Sequence, residues 1–338
     1  MKSWNNPVGL FVLLALILLA AILLSLFTGS SQLTLAEVWR QWRSGETTET
    51  AYRIFLYARL PRTIAALAAG AALAVSGALV QAVLNNALAS PGTIGVNSGA
   101  GFFALLAGSF LPQMPYVMPI AAFFGALGAS LVVYGVAVKT GASRISLILA
   151  GVAISRLFSA GIDTLTIVYP DEIIGSAGFM VGSFSGVTLQ MMYPALLLIG
   201  AGLLLSLIFS YDLNILALGD TTAAALGMRV AQSRFGFLLL SALLAGAAVS
   251  FSGLVGFIGL MVPHICRKLF GAEYRRLIPC SAMVGASFAL LCDVLGKLLF
   301  APFEVPVGIV LAFLGCPFFL FLLFQKYFSF WQIISNCF

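Results

Sequence analysis

Residues 63–84 read TIAALAAGAALAVSGALVQAVL, and no side chain that is charged at neutral pH occurs between Arg62 and Lys139. A helix crossing a bilayer needs about 20 apolar residues, so this one gap must hold several. A second charge-free gap separates Glu172 from Asp212. Composition agrees, since 61% of the 338 residues are hydrophobic and 8% charged, where a soluble domain carries about 25% charged residues. No soluble core could absorb that much apolar sequence. Lipid must be the solvent, and the fold class is an all-α, polytopic membrane protein forming one transmembrane domain over 1–338.

Polar, Gly and Pro clusters divide the chain into ten expected spans, at about 8–28, 62–84, 92–111, 117–138, 145–168, 191–210, 235–253, 257–270, 277–299 and 306–325. The first is longer than the apolar stretch of a secretory signal and lacks a clear small-residue cleavage site, so it reads as an uncleaved span. Short loops rich in Lys and Arg mark the inner side. With Lys2 inside, the inner loops hold Lys139, Arg144, Arg229, Arg234, Arg275 and Arg276. Arg267 and Lys268 sit at an inner span end, and Lys326 follows the last span. Both termini are then cytoplasmic. The exception is the outer segment 29–61, with Arg40, Arg43, Arg53 and Arg59.

AGAALAVSG at 69–77 is echoed by AGAAVSFSG at 245–253, six of nine positions agreeing. The two spans run in opposite directions in this topology, as inverted repeats of transporters do. No catalytic constellation is present: there is no G-x-x-x-x-G-K-[ST], no H-E-x-x-H and no G-x-S-x-G. The five cysteines lack C-x-x-C and zinc spacing, so neither a disulfide nor a metal site is expected. Without a basic run, the net charge of +6 is better explained by topology than by nucleic acid.

Charge within a span is costly, so two pairs stand out. Arg156 and Asp163, both in the fifth span, read as a buried polar pair linking helices, with a cavity-facing cation for anionic cargo as the rival. Asp293 and Lys297, at i and i+4, are expected to pair on one face of the ninth span. In the inner loop 211–234, TTAAALG favours a short helix whose start Asp220 could cap.

RLPR (59–62), GAALAVSGALVQ (70–81), NNALASPGTIGVNSGAG (85–101), ILAGVAIS (148–155), LALGDTTAAALGMRV (216–230), GFIGLMVPHICR (256–267), EVPVGIV (304–310) and LGCPFFLFLL (314–323) occur in that order. Together they resemble the permease subunits of ABC importers for iron chelates, haem and vitamin B12. The resemblance implies ten helices per subunit, a second permease subunit (a copy or a paralogue), two ATP-binding subunits, an extracytoplasmic binding protein and no cofactor. It implies that Arg59, Arg62 and Lys297 receive acidic side chains of the binding protein, which would explain the basic outer segment. It implies that Gly219, Asp220, Ala223, Ala224, Leu226 and Gly227 belong to a coupling helix seated on the ATPase, Asp220 standing where Glu is frequent. It also makes Asn86 and Leu88 cytoplasmic gate residues, although Ala87 replaces the proline usual in that turn. Arg156 departs from the small or apolar residue usual there and becomes a pathway candidate.

The expected function is therefore transport of a ferric siderophore into the cytoplasm across the cell membrane, with haem or cobalamin as alternative cargo. ATP would be hydrolysed by the partner subunits, so the chain itself is not expected to be an enzyme. An ion-coupled secondary transporter is the remote rival, with only Asp163 and Asp293 to serve it. His264, the single histidine, reads as a structural residue that offers a donor near the break made by Pro263.

Overall fold

A computed structural model of the chain describes residues 7–29, 39–41, 43, 50–114, 116–140, 143–301 and 303–335. Lys2 and Cys337 lie outside the described residues. The helices are α1 (Pro7–Phe27), α2 (Thr50–Leu84), α3 (Val96–Phe110), α4 (Val117–Lys139), α5 (Arg144–Val168), α6 (Pro170–Val181), α7 (Leu189–Ile208), α8 (Ser210–Ala217), α9 (Asp220–Ala225), α10 (Val230–Ser252), α11 (Ile258–Phe270), α12 (Tyr274–Leu298) and α13 (Val307–Ser335). A helix stands at each of the ten expected positions. Seven helices among the described residues are long and apolar enough to cross a membrane; α3 and α11 are shorter, and the apolar part of α13 runs Val307–Phe321. Within lipid only such internally hydrogen-bonded segments satisfy the backbone. Helix α6 occupies what reads in the sequence as an outer loop, because its two internal glycines mask its pattern.

The fold is organised around α2. Nearly every residue from Thr63 to Leu84 is buried, and α10, α11 and α12 all pack on it. Its Ala, Gly and Ser residues make this possible, since small side chains let helix backbones approach in lipid. A Cβ on Gly70 would overlap the carbonyl oxygen of Gly285 in α12, and one on Gly77 would overlap that of Gly259 in α11. Helices α2 and α10 run in opposite directions and cross at paired serines. The two hydroxyls, of Ser76 and Ser241, are 2.7 Å apart, and each also bonds the other residue's carbonyl.

The break between α10 and α11 contains Phe257 at φ 64, a conformation unfavourable for a bulky L-residue. Its ring lies where a side chain on Gly315 of α13 would stand. Downstream, Pro263 lacks an N–H and leaves the Gly259 carbonyl without its helical donor. His264 does not fill that gap as expected, for its Nε2 is buried without a hydrogen-bond partner among the described residues and its ring lies edge-on to Phe318. Gln81 fills it instead, Nε2 donating to Gly259 O and Leu260 O, each at 3.3 Å.

Candidate functional site

Candidate residues gather at the two ends of the bundle. At one end, Asp293 of α12 is 1% exposed and is shared by two cations. Arg62 reaches it with Nη2 at 2.9 Å and with Nε at 3.0 and 3.1 Å from its two oxygens. Lys297 Nζ lies 2.7 Å from Asp293 Oδ2, so the expected i, i+4 pair is present. Arg62 also extends Nη1 to Glu304, which is partly exposed at the rim. Arg59 is buried, donates to the Leu26 carbonyl at 3.0 Å and lies against Gly29. Arg40, Arg43 and Arg53 are exposed. The three cations singled out from the sequence thus stand together at this end, and each is engaged within the chain.

At the opposite end lies the six-residue helix α9. Gly219 precedes it at φ 108, a backbone that suits glycine. The helix closes on Gly227 at φ 83: Gly227 N–H donates to Ala224 O at 2.9 Å and Met228 N–H to Ala223 O at 3.0 Å, the paired bonds of a Schellman end. Ala223 is fully buried, whereas Ala224, Leu226 and Gly227 are exposed. The helix therefore anchors on one side and offers a small apolar face on the other.

Asp220 does not cap α9; no side chain caps that helix. Its carboxylate is occupied elsewhere, by Arg144 Nη2 at 2.9 Å and Arg234 Nη2 at 2.7 Å. Arg144 begins α5 and Arg234 lies in the first turns of α10, so one carboxylate straps the short helix to two long ones. Partial burial opposes ionisation of Asp220, but the hydrogen bond and charge of Arg234, then those of Arg144, outweigh it and hold the carboxyl below its ordinary range.

At the same end as α9, Asn86 and Leu88 occupy an exposed turn after α2. Asn86 Oδ1 accepts from Leu88 N–H at 3.0 Å, a local bond that fixes the turn. That bond does not involve residue 87, so the turn is held without the proline. Arg156 and Asp163 are both exposed on α5, the least buried of the seven long helices, and no ion pair joins them among the described residues. The expected buried pair is replaced by two charges on an open face.

The FecCD transport family matches residues 17–325. The chain belongs to that family. It is 37% identical to the hemin transport system permease protein of Yersinia pestis over 326 residues, covering 94% of this chain and 95% of the other. It is 36% identical over 317 residues to the Fe(3+) dicitrate transport system permease protein FecD of Escherichia coli K12, covering 94% and 98%. A solved ABC transporter assigned to the metal-chelate type, in an inward-facing conformation, superposes with TM-score 0.81 at 30% identity, covering 94% of this chain and 99% of that one. This FecCD protein is thus a multi-pass membrane permease of the ABC class.

Several residues of the permease that hold these regions together carry no local sign in the sequence. Arg144 and Arg234 read there only as topology markers, and Glu304 as part of a motif. Gln81 leaves one trace: it is the sole side-chain amide between Arg62 and Asn85. Its oxygen accepts from Arg267 Nη1 at 2.8 Å, while its nitrogen also donates to Ala89 O at 3.2 Å.

Proposed function

We propose that this chain is the membrane-spanning subunit of an ATP-driven importer that carries a ferric siderophore into the cytoplasm. It works with a second permease subunit, two ATP-binding subunits and an extracytoplasmic binding protein. The Asp220 end faces the cytoplasm, as the positive-inside rule requires of Arg144, Arg234, Arg267 and Arg276, and both termini lie there. The observation that carries this reading is the construction of α9: a small apolar face offered to a partner, with its root strapped by Asp220 to two spanning helices. ATP-driven closure of the partners, acting on Ala224, Leu226 and Gly227, would pull α5 and α10 through that strap. Asn86 and Leu88 then open or close the inner mouth.

At the outer end, Arg62 receives the binding protein, while Arg59 and Lys297, both buried, hold that end from within rather than docking directly. Because Arg62 already holds Glu304, an incoming carboxylate docks there by exchange, and the exposed Arg40, Arg43 and Arg53 supply the longer-range attraction. Surface pairs are individually weak, about 0–1 kcal/mol, yet several set orientation and association rate. Binding energy drives transport only where it differs between the outward and inward states. The similarity to a hemin permease keeps haem as the second cargo.

The test is reconstitution of the permease in proteoliposomes with its ATPase and loaded binding protein. Uptake of a radiolabelled ferric siderophore and cargo-stimulated ATP hydrolysis are both expected. In Gly227→Leu, hydrolysis should persist while uptake falls by about tenfold, since a Cβ at that positive φ costs about 1–2 kcal/mol and the Schellman end would open. Intact coupling in that variant would remove the role assigned to α9.

A further inference from the structure

The ATPase-facing helices and the Asn86 turn are joined by a continuous line of side-chain hydrogen bonds. Asn214, on α8 immediately before α9, accepts the Tyr274 backbone N–H with Oδ1 at 2.9 Å. That N–H is one of the orphan donors of a helix start, and no side chain of α12's own N-cap residue meets it. The end of α12 is therefore satisfied from α8. The Tyr274 hydroxyl accepts from Arg267 Nη2 at 3.4 Å, and Arg267 Nη1 donates to Gln81 Oε1 at 2.8 Å. Gln81 then holds Ala89 O, the carbonyl that follows Leu88, at 3.2 Å.

The line runs α8, α12, α11, α2 and turn, and its middle is buried: Gln81 and Tyr274 are 3% and 4% exposed. A buried polar group left unpaired costs about 1–3 kcal/mol. Elements joined this way move together or exchange partners, and the Gln81 amide permits an exchange. Its two N–H groups face three carbonyls, Ala89 on the turn and Gly259 and Leu260 in α11. The turn can leave without stranding a donor, because the carbonyl freed by Pro263 remains available. The Gln81 N–H groups therefore have acceptors whether the turn is held or released.

We propose that Asn214, Tyr274, Arg267 and Gln81 form a relay through which displacement of α8–α9 holds or releases the Asn86 turn. These are positioning residues, and the assignment rests on the importer reading above. Spatial continuity alone does not establish coupling, so the test measures coupling directly.

In the reconstituted complex, ATP hydrolysed per cargo imported is compared for wild type, Gln81→Met, Asn214→Leu, Asn214→Asp and Tyr274→Phe. Gln81→Met and Asn214→Leu should raise that ratio by about tenfold, the scale of one lost buried hydrogen bond. Asn214→Asp retains the acceptor and should stay within about twofold of wild type. The double variant Gln81→Met/Asn214→Leu should be no worse than the poorer single, as expected for residues acting in series. Tyr274→Phe removes a single oxygen, so it keeps the relay testable if a harsher variant fails to assemble; about a threefold rise is expected for this longer bond. Hydrolysis and uptake falling in proportion, or a multiplicative double variant, would overturn the relay. A wild-type complex without cargo-stimulated hydrolysis would remove the importer reading, and the relay with it.

Discussion

Asp220 shows how far a residue's role depends on partners remote in sequence. At the start of a short helix it reads as a cap, but two arginines, 76 and 14 positions away, claim the carboxylate. Because its folded pKa lies below the ordinary value, the strap contributes stability above the unfolded pKa of about 3.9. That contribution is lost as pH falls through the lower folded value. In detergent, Asp220→Asn should lower stability by about 0.5–1 kcal/mol at pH 7, a modest loss because the side chain is 45% exposed. The difference from wild type should stay level down to about pH 4 and vanish below it; thermal unfolding of both proteins across pH checks this. His264 teaches the complementary lesson. Local reading placed it at the Pro263 gap, yet the donor comes from Gln81, 178 residues away from Gly259 in the chain.

Among elements, the spans were legible because lipid leaves little choice: long apolar runs bounded by charge must become helices. Their depth of packing was legible only in part. Alanine and glycine along α2 suggested close approach, but not that Gly77 meets Gly259 rather than another backbone. Glycines of one helix type accordingly split into two classes. Gly77→Ala should cost about 1–3 kcal/mol, because its Cβ has nowhere to go without moving α11. Gly128→Ala in α4 has nothing within 4 Å of its Cβ and should be neutral or stabilising by about 0.5–1 kcal/mol. Thermal unfolding of the two purified variants separates these outcomes; equal effects would contradict the packing described for α2. Helix α6 was hidden because its glycines imitate a loop, and the arginine strap because ion pairs across 76 residues leave no periodicity.

At the scale of the whole molecule, the open face of α5 is the main asymmetry. A charge facing hydrocarbon costs at least about 2.5–3.5 kcal/mol, and Arg156 and Asp163 place two on one helix. In the proposed assembly that face needs cover from water or a second subunit, and Arg156 is the residue on it whose pathway role an uptake assay decides. Arg156→Ala should then lower uptake of a carboxylate-bearing ferric chelate several-fold, through a raised KM, with unchanged protein in the membrane and partial rescue by Arg156→Lys. Uptake equal to wild type would count against a pathway role. The central position of α2 has a different consequence. Its alanine and glycine faces exchange lipid for protein rather than water for protein, so their association carries little of the heat-capacity change that accompanies burial from water. The pillar of the bundle should hold its grip on cooling, while contacts of the water-exposed ends, α9 and its strap among them, answer to the aqueous phase.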